Sequence, residues 1–246
     1  MHKETDFIFG IRPVLEAIKA GKQIDRLLVR QGLTGSLYHE LMIEVKNNGV
    51  AYQIVPLERI EYLTKKNHQG VLAWLSLIEY QNISNILPMI YEKGEDPLII
   101  ALDGVSDVRN FGAIVRTAEC LGAHAILIPE KKSAQITADA IKTSAGALHT
   151  FPVCKEKSLT KAIEFLKESG LKVITATEKS SNDAFKCDLR GPSVLIMGSE
   201  DAGISRELLA LTDMNVSIPI KGTIESLNVS VSAGILLYEM IRQRSI

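Results

Sequence analysis

Short apolar runs in the second half of the chain alternate with segments that have helical spacing. The run at residues 98–102 is almost wholly apolar, which is typical of a strand covered on both faces. Because strands and helices alternate, the sequence predicts an α/β fold with a parallel sheet and helices on both of its sides. The other predicted strands are 125–128, 172–176, 194–197 and 215–218, and the predicted helices are 112–121, 138–147, 159–168 and 205–210.

The first part of the chain has a shorter and more mixed pattern. Residues 1–78 read as a small α/β domain, and residues 79–97 as a linker that contains one short helix and closes at Pro97. The sheet domain then covers residues 98–246. Within the first domain the predicted helices are 11–20, 37–47 and 57–63, and the predicted strands are 26–30, 52–55 and 71–77.

Composition and charge narrow the class of protein. The chain has 246 residues and a net charge of −1, so it is not a strongly basic nucleic-acid binder, although a local basic patch is compatible with this balance. The three cysteines are far apart and form no metal-ligand pair, so we expect reduced thiols and no metal. No apolar run is long enough to span a membrane, so we expect a cytoplasmic protein with no membrane partner.

Polar residues and glycines follow several of the predicted strands directly. Ligands of parallel sheets bind at the carboxyl ends of the strands, so these residues are expected to meet in one site. They are Asp103-Gly104, Thr177-Glu178, Gly198-Ser199-Glu200 and the residues from Pro219 onward.

One candidate motif covers residues 103–118. Asn110 and Gly112 are predicted to begin a helix, whose N-terminus can hold an anion. Arg116 lies in an otherwise apolar stretch of that helix, so it either forms a structural ion pair or faces a site. The motif is not a phosphate-binding P-loop, because it lacks Gly-Lys-Ser/Thr, and no GxGxxG follows the first strand.

A second motif, residues 197–203, follows a buried strand. Gly198 is expected to permit close approach of the backbone to a ligand, and Gly203 to let the chain turn into the next helix. Glu200 is either an acceptor for a ligand or a cap for that helix.

A third motif opens the C-terminal helix, which the sequence predicts to begin at Ser226-Leu227-Asn228. One polar side chain is enough for an N-cap, yet Ser226, Asn228, Ser230 and Ser232 crowd this helix start. Either they combine capping with close packing, or the junction is shaped around a ligand.

In the first domain, residues 65–70 form a basic and polar cluster that ends in Gly70. A solvated loop is one interpretation. The other is contact with RNA, since Lys neutralises phosphate and His, Asn and Gln can pair with base edges. The candidate RNA-binding residues are Lys65, Lys66, His68 and Gln69.

Together these motifs resemble the SpoU-type family of RNA ribose 2′-O-methyltransferases, in the SPOUT superfamily. The resemblance rests on Asn110 to Ala118, Met197 to Gly203 and Ser217 to Ser230, in order and with suitable spacing. It implies a deep trefoil knot in the sheet domain and an N-terminal domain like ribosomal protein L30e that binds the RNA substrate. It also implies that the target is structured RNA, with a guanosine of 23S rRNA as the expected nucleotide.

The resemblance implies S-adenosylmethionine as cofactor. By their places in the motifs, the cofactor-binding residues are Thr177, Gly198, Ile218 and Leu227, and the catalytic residues are Asn110, Arg116, Glu200, Ser226 and Asn228. Core packing is the alternative for the two apolar side chains, Ile218 and Leu227. Arg116 is expected to bind the target phosphate and polarise the 2′-oxygen, because a guanidinium stays protonated in proteins. Ser226 and Asn228 are expected to orient the ribose, and Glu200 to fix Asn110 or Arg116.

The resemblance further implies a homodimer with the C-terminal helix in its interface. This helix and its first turn carry more apolar side chains than one core contact needs: Leu227, Ile235, Leu236, Met240 and Ile241.

Three other functions compete with this one. The target could be a tRNA ribose or another rRNA ribose. The chain could be a non-catalytic RNA-binding module, which the presence of all five catalytic residues disfavours. It could be a small-molecule methyltransferase that uses residues 98–246 alone, which would leave residues 1–78 without a role.

Overall fold

A computed structural model describes residues 7–245, and the chain divides into two compact units between Glu79 and Tyr80. The first six residues of the predicted N-terminal domain, and Ile246, lie outside the described residues. Both units are α/β structures, which confirms the predicted fold class.

The first unit contains a 4-stranded sheet of order β1-β4-β2-β3, in which only β2 and β3 are parallel. One face packs against α1 and α2 in a large apolar core, and the other packs against α3 in a smaller one. Its elements are β1 (Phe7–Phe9), α1 (Ile11–Lys19), β2 (Ile24–Arg30), α2 (Ser36–Asn47), β3 (Tyr52–Val55), α3 (Leu57–Leu63) and β4 (Val71–Leu75).

The second unit is built on a 6-stranded sheet of order β10-β8-β9-β5-β6-β7, and every neighbouring pair is parallel. Its elements are α4 (Ile83–Glu92), β5 (Leu98–Asp103), α5 (Val108–Cys120), β6 (Ala125–Pro129), α6 (Ala138–Thr143), β7 (Val153–Glu156), α7 (Leu159–Glu168), β8 (Lys172–Ala176), β9 (Ser193–Gly198), α8 (Arg206–Leu209), β10 (Met214–Val216) and α9 (Val229–Arg244). Short 3-10 turns cover Ala147–His149 and Ala184–Lys186.

The predicted parallel sheet is confirmed, but two strands escape the sequence analysis. β1 and β7 lie at the edges of their sheets and are 3 and 4 residues long. In β7 two apolar residues precede Lys155 and Glu156. An edge strand needs less apolar sequence than a central one, so it leaves a weaker pattern.

The segment predicted as a linker contributes a packed helix to the second unit. Ile83, Leu87 and Ile90 of α4 are buried in the same core as residues of β5, β6, β8 and β9. Helix α7 and Leu208 of α8 complete this face. The apolar spacing within residues 79–97 therefore reflects a core helix, and the short helix predicted there belongs to the sheet unit.

The opposite face of the large sheet carries the last helix. α9 packs against α5 and against β9. The Thr117 methyl group of α5 lies 3.5 Å from where a Cβ on Gly234 of α9 would stand, so a small residue permits this close crossing.

Within residues 7–245 no helix is long and apolar enough to cross a membrane. The three cysteines are free thiols, and burial raises the pKa of Cys154 to about 12, which keeps that thiol protonated. The expected cytoplasmic location stays a prediction.

The C-terminal end of α9 is fixed by one arginine. The Arg244 guanidinium donates hydrogen bonds to the carbonyl oxygens of Asp96, Pro97 and Gly191 and to the Ser193 hydroxyl. Burial lowers the pKa of Arg244 from its usual value. This side chain thus joins the helix end to the starts of β5 and β9.

We expect Arg244→Met to lower the free energy of unfolding by about 2 kcal/mol, because it strips partners from partly buried carbonyl groups. Urea denaturation at fixed protein concentration measures this loss. The control is Arg242→Met, which removes only a half-exposed ion pair with Glu239 and should cost about 1 kcal/mol or less. Equal losses of stability in the two variants would contradict the role of Arg244 in fixing the end of α9.

Candidate active site

A cavity of about 300 Å³ opens at the carboxyl ends of β8, β9 and β10. Three of the four predicted strand ends contribute to its wall, through residues that follow each of these strands. The fourth, Asp103, does not line the cavity, and its carboxylate instead accepts a hydrogen bond of 2.7 Å from the backbone of Ser205. Convergence of the strand ends therefore places the site as the sheet topology predicts.

The wall includes all four residues expected to contact a cofactor: Thr177, Gly198, Ile218 and Leu227. Leu227 is 39% exposed although it is apolar. A leucine in the packed core would be close to fully buried, so core packing does not explain it. The contact of these four residues with a cofactor stays a proposal.

The segment 218–227 forms one side of this cavity and has an unusual backbone. Within the described residues 7–245, its N–H and C=O groups make no hydrogen bond to any other group of the chain. Ordinary turns and loops satisfy part of their backbone internally. These groups are therefore free to bind a ligand that enters the cavity.

A cluster of polar side chains joins the three motifs at the cavity. Glu200 Oε1 accepts hydrogen bonds from Asn110 Nδ2 at 3.2 Å, from Asn228 Nδ2 at 2.8 Å and from the backbone N–H of Val229 at 3.3 Å. Asn228 Nδ2 also donates to Asn110 Oδ1 at 3.0 Å. Glu200 therefore fixes Asn110, which was one of the two predicted partners, and it fixes Asn228 as well.

The polar residues at the start of α9 combine capping with a place in the cavity wall. Asn228 is the N-cap, and its Oδ1 accepts from the backbone N–H and the hydroxyl of Ser230. Asn228 also lines the cavity, as do Ser226 and Ser232. Both interpretations of this stretch thus hold, and the helix begins at Val229 rather than at Ser226.

Helix α5 begins earlier than the sequence predicts. It starts at Val108, and the Asp107 carboxylate accepts hydrogen bonds from the backbone N–H groups of Arg109 and Asn110. This helix start therefore carries its own anion, and the expected anion site at Asn110 and Gly112 is wrong. An Asp before an apolar helical run is a capping signal that the sequence analysis missed.

Gly198 lines the cavity and also has a role that the sequence does not show. A Cβ at this position would stand 2.3 Å from the carbonyl carbon of Gly203, so the close approach is made by the chain itself. Residues 199 and 203 are joined by two backbone hydrogen bonds, and Gly203 has φ +68°, which permits the turn. This hairpin holds Glu200 at the cavity.

Arg116 stands apart from the other catalytic candidates. It is exposed on α5 and does not line the cavity. Within residues 7–245 it forms no ion pair, so the structural alternative, an internal ion pair, finds no support. The cation is available to a group outside this chain.

The RNA-binding candidates lie on the loop between α3 and β4 in the first unit. Two of them hold the loop: Gln69 Oε1 accepts from the N–H of Ile11, and His68 Nδ1 accepts from the N–H of Gly70. Lys65 and Lys66 are exposed. Gln69 and His68 thus stabilise the loop, while Lys65 and Lys66 are exposed on it.

Two family models match this chain. The model of the SpoU rRNA Methylase family matches residues 97–238, and the model for RNA 2′-O ribose methyltransferase substrate binding matches residues 7–81. The chain therefore belongs to the SpoU family of RNA methyltransferases.

Relatives of known sequence and structure agree with this assignment. A protein of Bacillus subtilis, YacO, whose name places it in the TrmH family of tRNA/rRNA methyltransferases, is 31% identical over 100% of this chain and 98% of its own. The SpoU methyltransferase AviRb of Streptomyces viridochromogenes, solved with AdoMet, has a TM-score of 0.61 and 26% identity over 96% of this chain and 89% of its own. An AdoMet-bound rRNA methyltransferase of Sinorhizobium meliloti has a TM-score of 0.61 and 25% identity over 96% of this chain and 86% of its own. The predicted enzyme class and its cofactor, S-adenosylmethionine, are confirmed.

The cavity suits this cofactor. Two carboxylates, Glu178 and Glu200, line it, and no Lys or Arg does among the described residues. Such a wall favours a sulfonium cation. Exposed apolar side chains at Ile220 and Leu227 offer faces for an adenine ring, and the unbonded groups of 218–227 offer donors and acceptors for its edge.

We expect Gly198→Ala to weaken binding of S-adenosylmethionine by at least about tenfold, because the added Cβ displaces the hairpin that carries Glu200. Isothermal titration calorimetry measures the affinity. The control is Gly234→Ala, where the added Cβ meets only the Thr117 methyl at 3.5 Å, and its affinity should stay within about twofold of the unchanged chain. Tight binding by the Gly198 variant would contradict the assigned site.

Proposed function

We propose that this chain transfers a methyl group from S-adenosylmethionine to a ribose 2′-hydroxyl of RNA, and that its target is a guanosine of 23S rRNA. The observation that carries the proposal is the cluster of Asn110, Glu200 and Asn228, in which Glu200 and Asn228 line the cavity. The substrate-binding model over residues 7–81 supports RNA as substrate and the ribose as target.

The residues of the site have separate tasks in this proposal. The cofactor supplies an electrophilic methyl group, so no metal is needed to activate the leaving group. Ser226 and Asn228 orient the ribose, and Glu200 holds Asn228 and Asn110 in place. Arg116 binds the target phosphate and polarises the 2′-oxygen, whose proton leaves to phosphate or water.

The alternatives differ in how well they account for both units. A tRNA ribose or another rRNA ribose fits the same chemistry, and the relatives carry names that include tRNA and rRNA. A non-catalytic RNA-binding protein does not need Glu200 to tie three motifs together. A small-molecule methyltransferase does not need a unit that matches a substrate-binding model.

The proposed enzyme is a homodimer through α9, and two of the residues that the sequence indicates for its interface are not on the surface of the helix. Leu236 and Met240 are 1% and 0% exposed and belong to the core of their own chain, so they are wrong as interface residues. The exposed apolar stripe is Val231, Ile235 and Tyr238, which share one face at helical spacing. Arg116 is exposed on α5, the helix that packs against α9.

We include the expected trefoil knot in the proposal. Gln243 of α9 bonds with the N–H of Leu189 and the carbonyl of Cys187, and the carbonyl of Asn182 accepts from the backbone N–H of Ser217. The connection between β8 and β9 thus touches both β10 and the chain end. This wrapping supports threading of the C-terminal segment.

The function is tested by methyl transfer from tritiated S-adenosylmethionine to unmodified 23S, 16S and tRNA transcripts. We expect label on 23S RNA alone, recovered as 2′-O-methylguanosine. Label on tRNA would keep the chemistry and overturn the target. Cofactor binding without label on any transcript or on RNA of intact ribosomal particles would overturn the proposed reaction.

Arg116 variants test the assigned role of the cation. We expect Arg116→Ala to lower kcat by about 100-fold or more, and Arg116→Lys to recover less than about a tenth of it, because an ammonium lacks the planar fork. Cofactor affinity should be unchanged in both variants. Near-normal turnover by Arg116→Lys would contradict a geometric role.

The dimer surface is tested by Ile235→Asp. The wild-type chain is expected to sediment at twice its 27.0 kDa mass, and the variant at that mass, because a carboxylate on the stripe cannot be buried without a partner. The control is Ile43→Asp on α2, which is also exposed, at 58%, and should leave the dimer intact. A monomeric wild-type chain at micromolar concentration would contradict the assignment.

A further inference from the structure

The second face of the sheet in the first unit carries an unusual row of side chains. Phe7 on β1 lies opposite Trp74 on β4, and Trp74 lies opposite Arg26 on β2. The next row on the same face, Phe9, Leu72 and Leu28, is continued by Ile60 of α3, and Leu72 and Leu28 are fully buried there. Helix α3 therefore covers Leu28 and Leu72, while Phe9 and all three residues of the first row keep part of their surface in solvent.

Two cations lie over rings of this face, and Phe7 and Trp74 also pack against the small core of Leu28, Leu72 and Ile60. The Arg26 guanidinium carbon is 5.3 Å from the centre of the Trp74 ring, and Lys66 Nζ is 5.6 Å from the centre of the Phe9 ring. Phe7 packs edge-on against both aromatic neighbours, with ring centres 5.8 Å from Trp74 and 6.3 Å from Phe9. The rings thus form one continuous surface.

A third cation borders the same face. Arg30 follows Arg26 and Leu28 on alternate positions of β2 and packs against Gly70 at the end of the loop that carries Lys66. Its Nε is buried and has no hydrogen-bond partner among residues 7–245. Within the same residues no carboxylate forms an ion pair with Arg26, Arg30 or Lys66, so their charges are not neutralised locally.

We propose that this face binds unpaired nucleotides of the RNA substrate. Aromatic rings and guanidinium planes stack on the faces of unpaired bases of any sequence, while Lys and Arg beside them neutralise phosphates. An apolar protein partner would gain nothing from the three uncompensated cations, and a duplex offers no base faces to stack on. The residues are Phe7, Phe9, Arg26, Arg30, Lys66 and Trp74.

This inference rests on the proposed function, since it takes RNA as the substrate. It adds a second surface to the predicted loop residues. Lys66 belongs to both surfaces, so an RNA strand that passes the loop would continue along the aromatic row. Recognition here is by stacking and charge, so it supplies affinity for a locally unpaired segment rather than the choice of a base.

The test uses the full chain. Trp74 is its single tryptophan, so tryptophan emission reports on this face. A short unstructured RNA oligonucleotide, labelled with a dye, is titrated at low salt while its anisotropy and the Trp74 emission are both recorded. We expect the emission to be quenched with the same midpoint as the anisotropy change. The same strand annealed to its complement should leave the emission unchanged.

Variants separate this face from general attraction to RNA. Arg26→Ala and Phe9→Leu should each weaken binding by about fivefold or more, and the pair Arg26→Ala, Lys66→Ala should lower the salt dependence by about 0.7 per cation removed. Lys46→Ala, an exposed lysine on α2, should stay within about twofold. Thermal melting checks that each variant is folded, and Phe9→Leu keeps an apolar side chain.

The outcomes also separate this inference from the proposed function. RNA binding with unchanged Trp74 emission and with wild-type affinity in the variants would overturn it, even if methyl transfer to RNA is observed. Absence of binding to the unpaired oligonucleotide at low salt would overturn it as well. Failure of methyl transfer would overturn the proposed reaction. If Trp74 emission were nevertheless quenched and the variants bound RNA more weakly, the proposed binding face would still be supported.

Discussion

One carboxylate oxygen, Oε1 of Glu200, joins segments of the chain that are far apart in sequence. It accepts from Asn110 on α5, from Asn228 at the start of α9 and from the first N–H of that helix. The loop 218–227, which has no hydrogen bonds of its own within the described chain, ends at the residue that this oxygen holds. The end of this loop and the start of α9 are therefore held by one acceptor, which the hairpin from Gly198 to Gly203 carries.

Much of the fold can be predicted from the pattern of apolar residues in the sequence. The central strands β5, β8 and β9 are apolar runs because both of their faces are covered, and the alternation with helices fixes a parallel sheet. The edge strands β1 and β7 and the packing of α4 depend on contacts between distant elements. Local periodicity does not record which neighbour a short segment finds, so these features could not be read in advance.

The candidate site shows the same division. The motifs name the residues that meet, and topology explains why the strand ends converge. The motifs do not show that Gly198 packs against the backbone of Gly203. They also do not show that the Asp107 carboxylate caps the helix start at which an anion site was expected. In the C-terminal helix, periodicity marks Leu236 and Val231 alike as apolar, and only the packing against α5 and β9 decides that one is core and the other surface. The row of Phe7, Trp74 and Arg26 on the small sheet leaves no local sequence pattern, because its members come from three strands.

We propose that the cofactor binds along the unbonded backbone of residues 218–227. Amide hydrogen exchange measures it directly, because amides without hydrogen bonds exchange fast unless a ligand covers them. Without S-adenosylmethionine the amides of this segment should exchange at nearly the rate of an unfolded chain, and saturating cofactor should slow them markedly. Cofactor binding, established by calorimetry on the same sample, with no change of exchange in 218–227 would contradict the account.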